Sequence, residues 1–117
     1  MDHIWKHGGG EHYFDISERS CLERITRALH DMKESSDEIE EDAESVSGAA
    51  SRHCEMIANF FDTVLGDGKA ADILGETAGA EECSAAYVSF ILFVRDEVDS
   101  LARLRAALEA KLEEIST

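Results

Sequence analysis

Apolar positions along this chain of 117 residues change period once, near residue 16. Before that point Ile4, Trp5, Tyr13, Phe14 and Ile16 flank Gly8-Gly9-Gly10, and aromatic and β-branched residues on either side of a glycine turn predict a small hairpin over residues 1–16. Helical spacing follows. Leu22, Ile25, Leu29, Met32, Ser36, Ile39, Ala43, Val46 and Ala50 recur in steps of three and four, a heptad seam opened by a D-x-x-E capping box at Asp15 and Glu18. The seam predicts a long acidic helix over 17–46, weaker toward its end where Ser36 and Ala43 stand in place of leucine-sized groups. Ser47-Gly48 reads as a joint. Cys54, Ile57, Phe61, Val64 and Leu65 then predict a helix over 49–65, stopped by Gly66 as a C′ glycine. A glycine-bounded turn leads to a short helix over 69–74, and a last helix over 80–115 opens with Glu81 and Glu82 at the positive end of its dipole.

The expected architecture is mainly α, a single-domain long-helix bundle with a small N-terminal β-hairpin. Its densest apolar cluster sets Phe60, Phe61, Val64, Leu65, Ile73 and Leu74 against Tyr87, Phe90, Ile91 and Val94. Helices of that length run to ~45 and ~54 Å at 1.5 Å per residue, whereas a compact domain of this size has a radius of gyration of only ~13 Å. The long helices must bend, break or protrude. Val98, Leu101, Leu104, Leu108, Leu112 and Ile115 form the stripe most free to meet a partner. Self-association through it is the expectation, a dimer above all, tightening with salt because each copy carries like charge.

Composition narrows the function classes. Eleven Lys and Arg against 26 Asp and Glu give a net charge of −15, which repels phosphate backbones and anionic lipid, so neither nucleic acid nor a membrane surface is an expected partner. Proline is absent, in keeping with a helical chain. No apolar run reaches the ~18 residues of a membrane span and none at the start has signal-peptide character, which makes a cytoplasmic protein the expectation. Cys21, Cys54 and Cys83 are odd in number and widely spaced, as reduced thiols are.

The sequence holds no complete catalytic pattern. Glu38 and Glu41 place two carboxylates on one helix face, as in all-α nucleotide pyrophosphohydrolases that hold magnesium, but Glu55 is followed three residues on by Ala58 and the second half of that site is missing. A metal-dependent nucleotide-handling enzyme using Glu38 and Glu41 is therefore the alternative reading, not the leading one. Gly68-Lys69 precedes Ala70 rather than a hydroxyl, against a phosphate loop. His53 and Cys54 are helix neighbours ~100° apart and form no thiolate–imidazole pair. The acidic run over 34–44 lacks a calcium-loop glycine and reads as a solvated face. His3, His7 and His12 carry no recognised zinc spacing and read as solvated hairpin groups, with metal binding left open. No catalytic residue, cofactor or metal ligand is assigned.

One stretch is distinctive: Phe60-Phe-Asp-Thr-Val-Leu-Gly-Asp-Gly-Lys-Ala-Ala-Asp-Ile-Leu-Gly75, followed by Glu82-Cys83 and Phe90. It resembles a family of small uncharacterised proteins encoded by phages and prophages of Gram-positive bacteria. Members open with a short strand pair, pass through an acidic helix and carry an F-F-D-x-h-F-G-E-G-x-x-x-x-h-F-G segment before a last helix containing a cysteine and aromatics. The likeness spans residues 59–93 by motif and the rest by layout, with Leu65 and Leu74 where the family often has phenylalanine and a longer segment over 101–117. The resemblance implies a place among tail genes and a non-enzymatic role like that of a tail-assembly chaperone or structural accessory protein. A phage structural protein is then the expected partner, and the host cytoplasm or the virion the expected location. It carries over no catalytic residue.

Overall fold

A computed structural model of the chain describes residues 3–42, 46–75 and 78–116, with the side chains of 38–42, 46–47 and 49 outside that description. Strands β1 (Ile4–His7) and β2 (Gly10–Tyr13) pair antiparallel, Trp5 opposite His12 and Lys6 opposite Glu11. Gly8 and Gly9 turn the chain between them with φ of 57° and 82°, the two positive values that a tight two-residue hairpin turn demands. The pleat sends Trp5 and His12 inward and leaves Lys6 and Glu11 in solvent. Among the described residues four helices follow: α1 (Arg19–Asp42), α2 (Val46–Leu65), α3 (Lys69–Leu74) and α4 (Ala80–Ser116). The protein is thus mainly α with an N-terminal hairpin.

The entry into α1 differs from the expected capping box. Asp15 Oδ1 accepts from the Ser17 amide at 2.9 Å and from its hydroxyl at 2.6 Å, closing an Asx turn, while the Glu18 carboxylate accepts from the Tyr13 hydroxyl at 2.5 Å. The face that α1 buries is also displaced from the expected seam. Cys21, Ile25 and Ala28 are buried with Met32 packed beside them, whereas Leu22 and Leu29 are exposed. Small residues at a helix contact let the axes approach, and Cys21 and Ala28 provide that where Leu22 and Leu29 would hold α1 away. Seam positions Ile39, Ala43 and Val46 lie outside the described side chains. Ser47 and Gly48, read above as a joint, fall in the first turn of α2.

The distinctive stretch forms the α2–α3 corner. The Asp62 carbonyl accepts from the Gly66 amide at 3.1 Å, and Gly66 (φ 121°) and Gly68 (φ 86°) adopt backbone conformations that residues with side chains rarely take. Asp62 Oδ1 then accepts from the Ala70 amide at 2.9 Å and caps α3. The F-F-D-…-G-x-G pattern is therefore a corner in which one aspartate serves both helices. At α4 the cap is reciprocal: Gly79 accepts from the Cys83 amide while its own N–H donates to the Glu82 carboxylate.

Phe90 is the hub of the core. Its ring meets Trp5, Phe14, Phe60 and Phe61 edge-on, with centroids 5.1, 5.4, 5.9 and 5.7 Å away. Phe60, Phe61, Val64 and Phe90 are buried as expected, and Leu65, Ile73, Leu74, Tyr87, Ile91 and Val94 pack against them half-buried. The hairpin adds Trp5 and Phe14 to that centre, a contribution the helical periodicity did not indicate. Trp5 is further fixed by its indole N–H, which donates to Ser89 Oγ at 3.1 Å.

The molecule measures 65 × 33 × 21 Å with a radius of gyration of 17.5 Å, well above the ~13 Å of a compact domain. The excess comes from α4, whose 37 residues run unbroken. Of the three outcomes open to the long helix, protrusion is the one adopted. No described helix is long and apolar enough to cross a membrane.

Candidate interaction surface

α4 has two halves with different surroundings. In the first, Cys83, Ala86, Phe90 and Glu97 are buried; beyond Ser100 every described residue is exposed. All six stripe residues are in solvent, from Leu101 at 42% exposure to Ile115 at 80%. The stripe is thus a free apolar face on an arm that leaves the body after Ser100. Within the body, Val88 and Leu92 form a smaller exposed patch on α4, unnoticed in the sequence because they fall between the positions that follow the core period.

Glu97 marks the root of the arm. It is 5% exposed, and His3 Nδ1 lies 2.8 and 2.9 Å from its two carboxylate oxygens, with Asp15 Oδ1 at 3.6 Å from the same nitrogen. His3 reaches this position with φ of 54°, a left-handed conformation uncommon for a side-chain-bearing residue. The hairpin so clasps α4 where its exposed half begins. His3, Asp15, Ile16, Ser17, Glu97, Ser100, Leu101 and Leu104 line a cavity of 170 Å³ there.

The reading of the three N-terminal histidines as solvated groups is corrected. His3 is half-buried on Glu97, His7 stacks on Trp5 with ring centroids 5.1 Å apart, and His12 is buried with its ring 5.6 Å from the same indole and tilted 39° to it, its Nδ1 without a hydrogen-bond partner among the described residues. The strands hold them on different partners. Burial lowers the His12 pKa from 6.5, with Lys69 and His7 acting in the same direction and Asp72 against it. The folded state therefore resists protonating His12, and its contribution to stability falls as pH drops below 6.5. Asp15, held below its usual 3.8 by the Ser17 hydrogen bonds, adds a second loss at lower pH. The melting temperature should fall on going from about pH 7 to about pH 5, and His12→Phe should flatten that limb; an unchanged slope in the variant would assign the loss elsewhere.

The other candidate chemistry is dispersed. The side chains of Glu38 and Glu41 lie outside the described residues. Of the acidic run, Glu34 and Asp37 are exposed. His30, Asp31 and Glu34 bring three ligand atoms within 4.8 Å of one another on the surface of α1, all exposed; H-D-x-x-E spacing was the available signal. A groove of 680 Å³ between α1 and α2 mixes Arg24 and Arg27 with Asp31, Asp62 and Asp67 and so has no single charge preference. His53 bonds Ser84 Oγ at 2.8 Å, apart from Cys54, whose thiol faces Cys83. Burial and that thiol contact push the Cys83 pKa up to about 11, the mark of an unreactive thiol.

A family model matches residues 8–113, from the hairpin turn through nearly the whole arm. The chain belongs to DUF6673, a family of unknown function. The arm to residue 113 lies within the length this DUF6673 model describes, so it is part of the family's architecture and not an appendage of this chain. No curated protein and no solved structure matches.

Proposed function

We propose that this DUF6673 chain is a non-enzymatic assembly protein that works through the apolar stripe of its α4 arm. The observation that carries the reading is an exposed helical half bearing five large apolar side chains, with Val98 exposed at its root, on a body that has a buried core of its own. A free helix of that length is marginal in water. The pairs Arg105–Glu109 at 3.3 Å and Lys111–Glu114 at 3.6 Å contribute only a few tenths of a kcal/mol each. Fully burying one leucine stabilises by ~1.5–3 kcal/mol, against association costs of ~4–15 kcal/mol, so five or six partly exposed residues together can offset what one or two cannot. An apolar helical partner completes the arm.

The resemblance of the 60–75 corner to phage and prophage proteins supports a place in tail assembly, where the client is a phage structural protein and the setting the cytoplasm of the bacterial host. Co-expression with a tail-tube or tape-measure protein tests this. The intact chain should keep the client soluble, and Leu104→Asp with Leu108→Asp should not; equal solubility with both would overturn the role of the arm. Recovery of the chain in finished particles would show that it stays in the virion. Nucleotide hydrolysis at enzyme-like rates would overturn the non-enzymatic reading.

A further inference from the structure

The stripe holds one irregularity. Val98, Leu101, Leu108, Leu112 and Ile115 occupy the two seam positions of a 3.5-residue repeat, and the position between Leu101 and Leu108 is Arg105. In a parallel pair each seam residue meets its own copy, which sets Arg105 against Arg105 at the centre of an apolar contact. Reversing one helix exchanges the two seam positions, and the whole stretch then matches: Val98 lies opposite Ile115, Leu101 opposite Leu112, Arg105 opposite Leu108. The aliphatic stem of Arg105 covers leucine while its guanidinium reaches the acidic flank of the partner helix.

Charge along the arm has the same polarity. In that register residues 98–106 face residues 107–115; the first set holds Asp99, Arg103 and Arg105, net +1, and the second holds Glu109, Lys111, Glu113 and Glu114, net −2. An antiparallel pair lays the positive half on the negative half twice; a parallel pair lays like on like. The arm as a whole is balanced, three basic against three acidic residues, so the chain's net charge of −15 resides in residues 1–100. Antiparallel arms put those two bodies at opposite ends, separated by about 27 Å of helix, beyond the Debye length of ~10 Å at 0.1 M salt.

We propose that the arm's partner is a second copy of the same arm, paired antiparallel over residues 98–115 with Arg105 setting the direction. This rests on the reading of the arm as an interaction surface and names its occupant. The product is a two-headed rod, each body free to present its remaining surface.

Two measurements on the full chain test it. Sedimentation equilibrium should give a dimer at high micromolar concentration, and Leu108→Asp, which alters an exposed residue, should give a monomer that melts like the unsubstituted chain diluted to where it too is monomeric. Ser116→Cys, nitroxide-labelled in a Cys54→Ser background, should show a label-to-label distance of about 30 Å, set by the 19 residues between position 116 and its opposite at 97. Since the bodies are already apart, raising salt from about 0.1 to about 0.5 M should weaken the dimer through its arm charges, reversing the expectation drawn from net charge alone. A monomer, a distance under about 15 Å, or a dimer that tightens several-fold with salt would each overturn the proposal. The first would leave the assembly reading to be decided separately by the client co-expression.

Discussion

Phe61→Ala is expected to lower the melting temperature by roughly 10–30 °C, following a loss of ~3–5 kcal/mol. Phe61 is fully buried and lies flat on Trp5, with ring centroids 5.5 Å apart and planes 10° from parallel. Its edge meets Phe60 at 5.6 Å and Phe90 at 5.7 Å, so truncation removes one wall from several aromatic contacts at once. The surrounding rings belong to three elements, β1, α2 and α4, and closing the space would require the hairpin and a long helix to move together. Such sites relax little, which places the cost at the upper part of the range. With native domains stable by only ~5–15 kcal/mol, the variant should be close to unfolding at moderate temperature. Leu104→Ala on the arm, at 69% exposure, should change stability by no more than ~0.5 kcal/mol. Equal melting temperatures for Phe61→Ala and the unsubstituted chain would disprove the assignment of the core.

The helices were legible where large apolar groups recur at 3.6-residue spacing and less so where small residues decide the packing. On α1, Leu22 and Leu29 have the size of core residues, yet the buried face runs through Cys21 and Ala28. Hydrophobicity alone ranks the leucines first; what selects the other face is how closely α1 must approach α2, a quantity set by both helices. At the hairpin the missing step was pairing. Once Trp5 is opposite His12 and is known to point inward, the same pleat carries His12 inward with it. Read as a lone polar residue, His12 looks solvated.

The arm was foreseeable by length arithmetic, because a helix of ~54 Å cannot fit within a ~35 Å globule. Its root was not. Glu97 shares a helical face with Phe90 and Val94, and an acid on an apolar face signals a buried partner; that partner, His3, lies 94 positions away and no local pattern points to it. Position in the fold also changed the meaning of the salt argument. Net charge summed over the chain predicts that copies repel, whereas its confinement to residues 1–100 lets direction along the arm decide how strongly.

His3→Ala is expected to cost about 1.5–3 kcal/mol, the range for losing a hydrogen bond to a charged group. The carboxylate of Glu97 accepts at both oxygens from one imidazole nitrogen, and among the described residues no other donor reaches it. Removing the ring leaves a nearly buried acid without its partner beside Asp15, whose charge repels it. The hairpin should then loosen from α4, and the chain's one tryptophan reports it: Trp5 is 3% exposed, and its emission should shift to the red. Pairing His3→Ala with Glu97→Leu removes the stranded acid as well, and replacing both partners of a hydrogen bond with apolar groups is often nearly neutral. The double variant should therefore recover most of the stability and the blue-shifted emission that the single variant loses. If His3→Ala melted and fluoresced like the unsubstituted chain, the clasp would carry no weight at the root of the arm, and the packing of Trp5 and Phe14 on Phe90 alone would hold the hairpin in place.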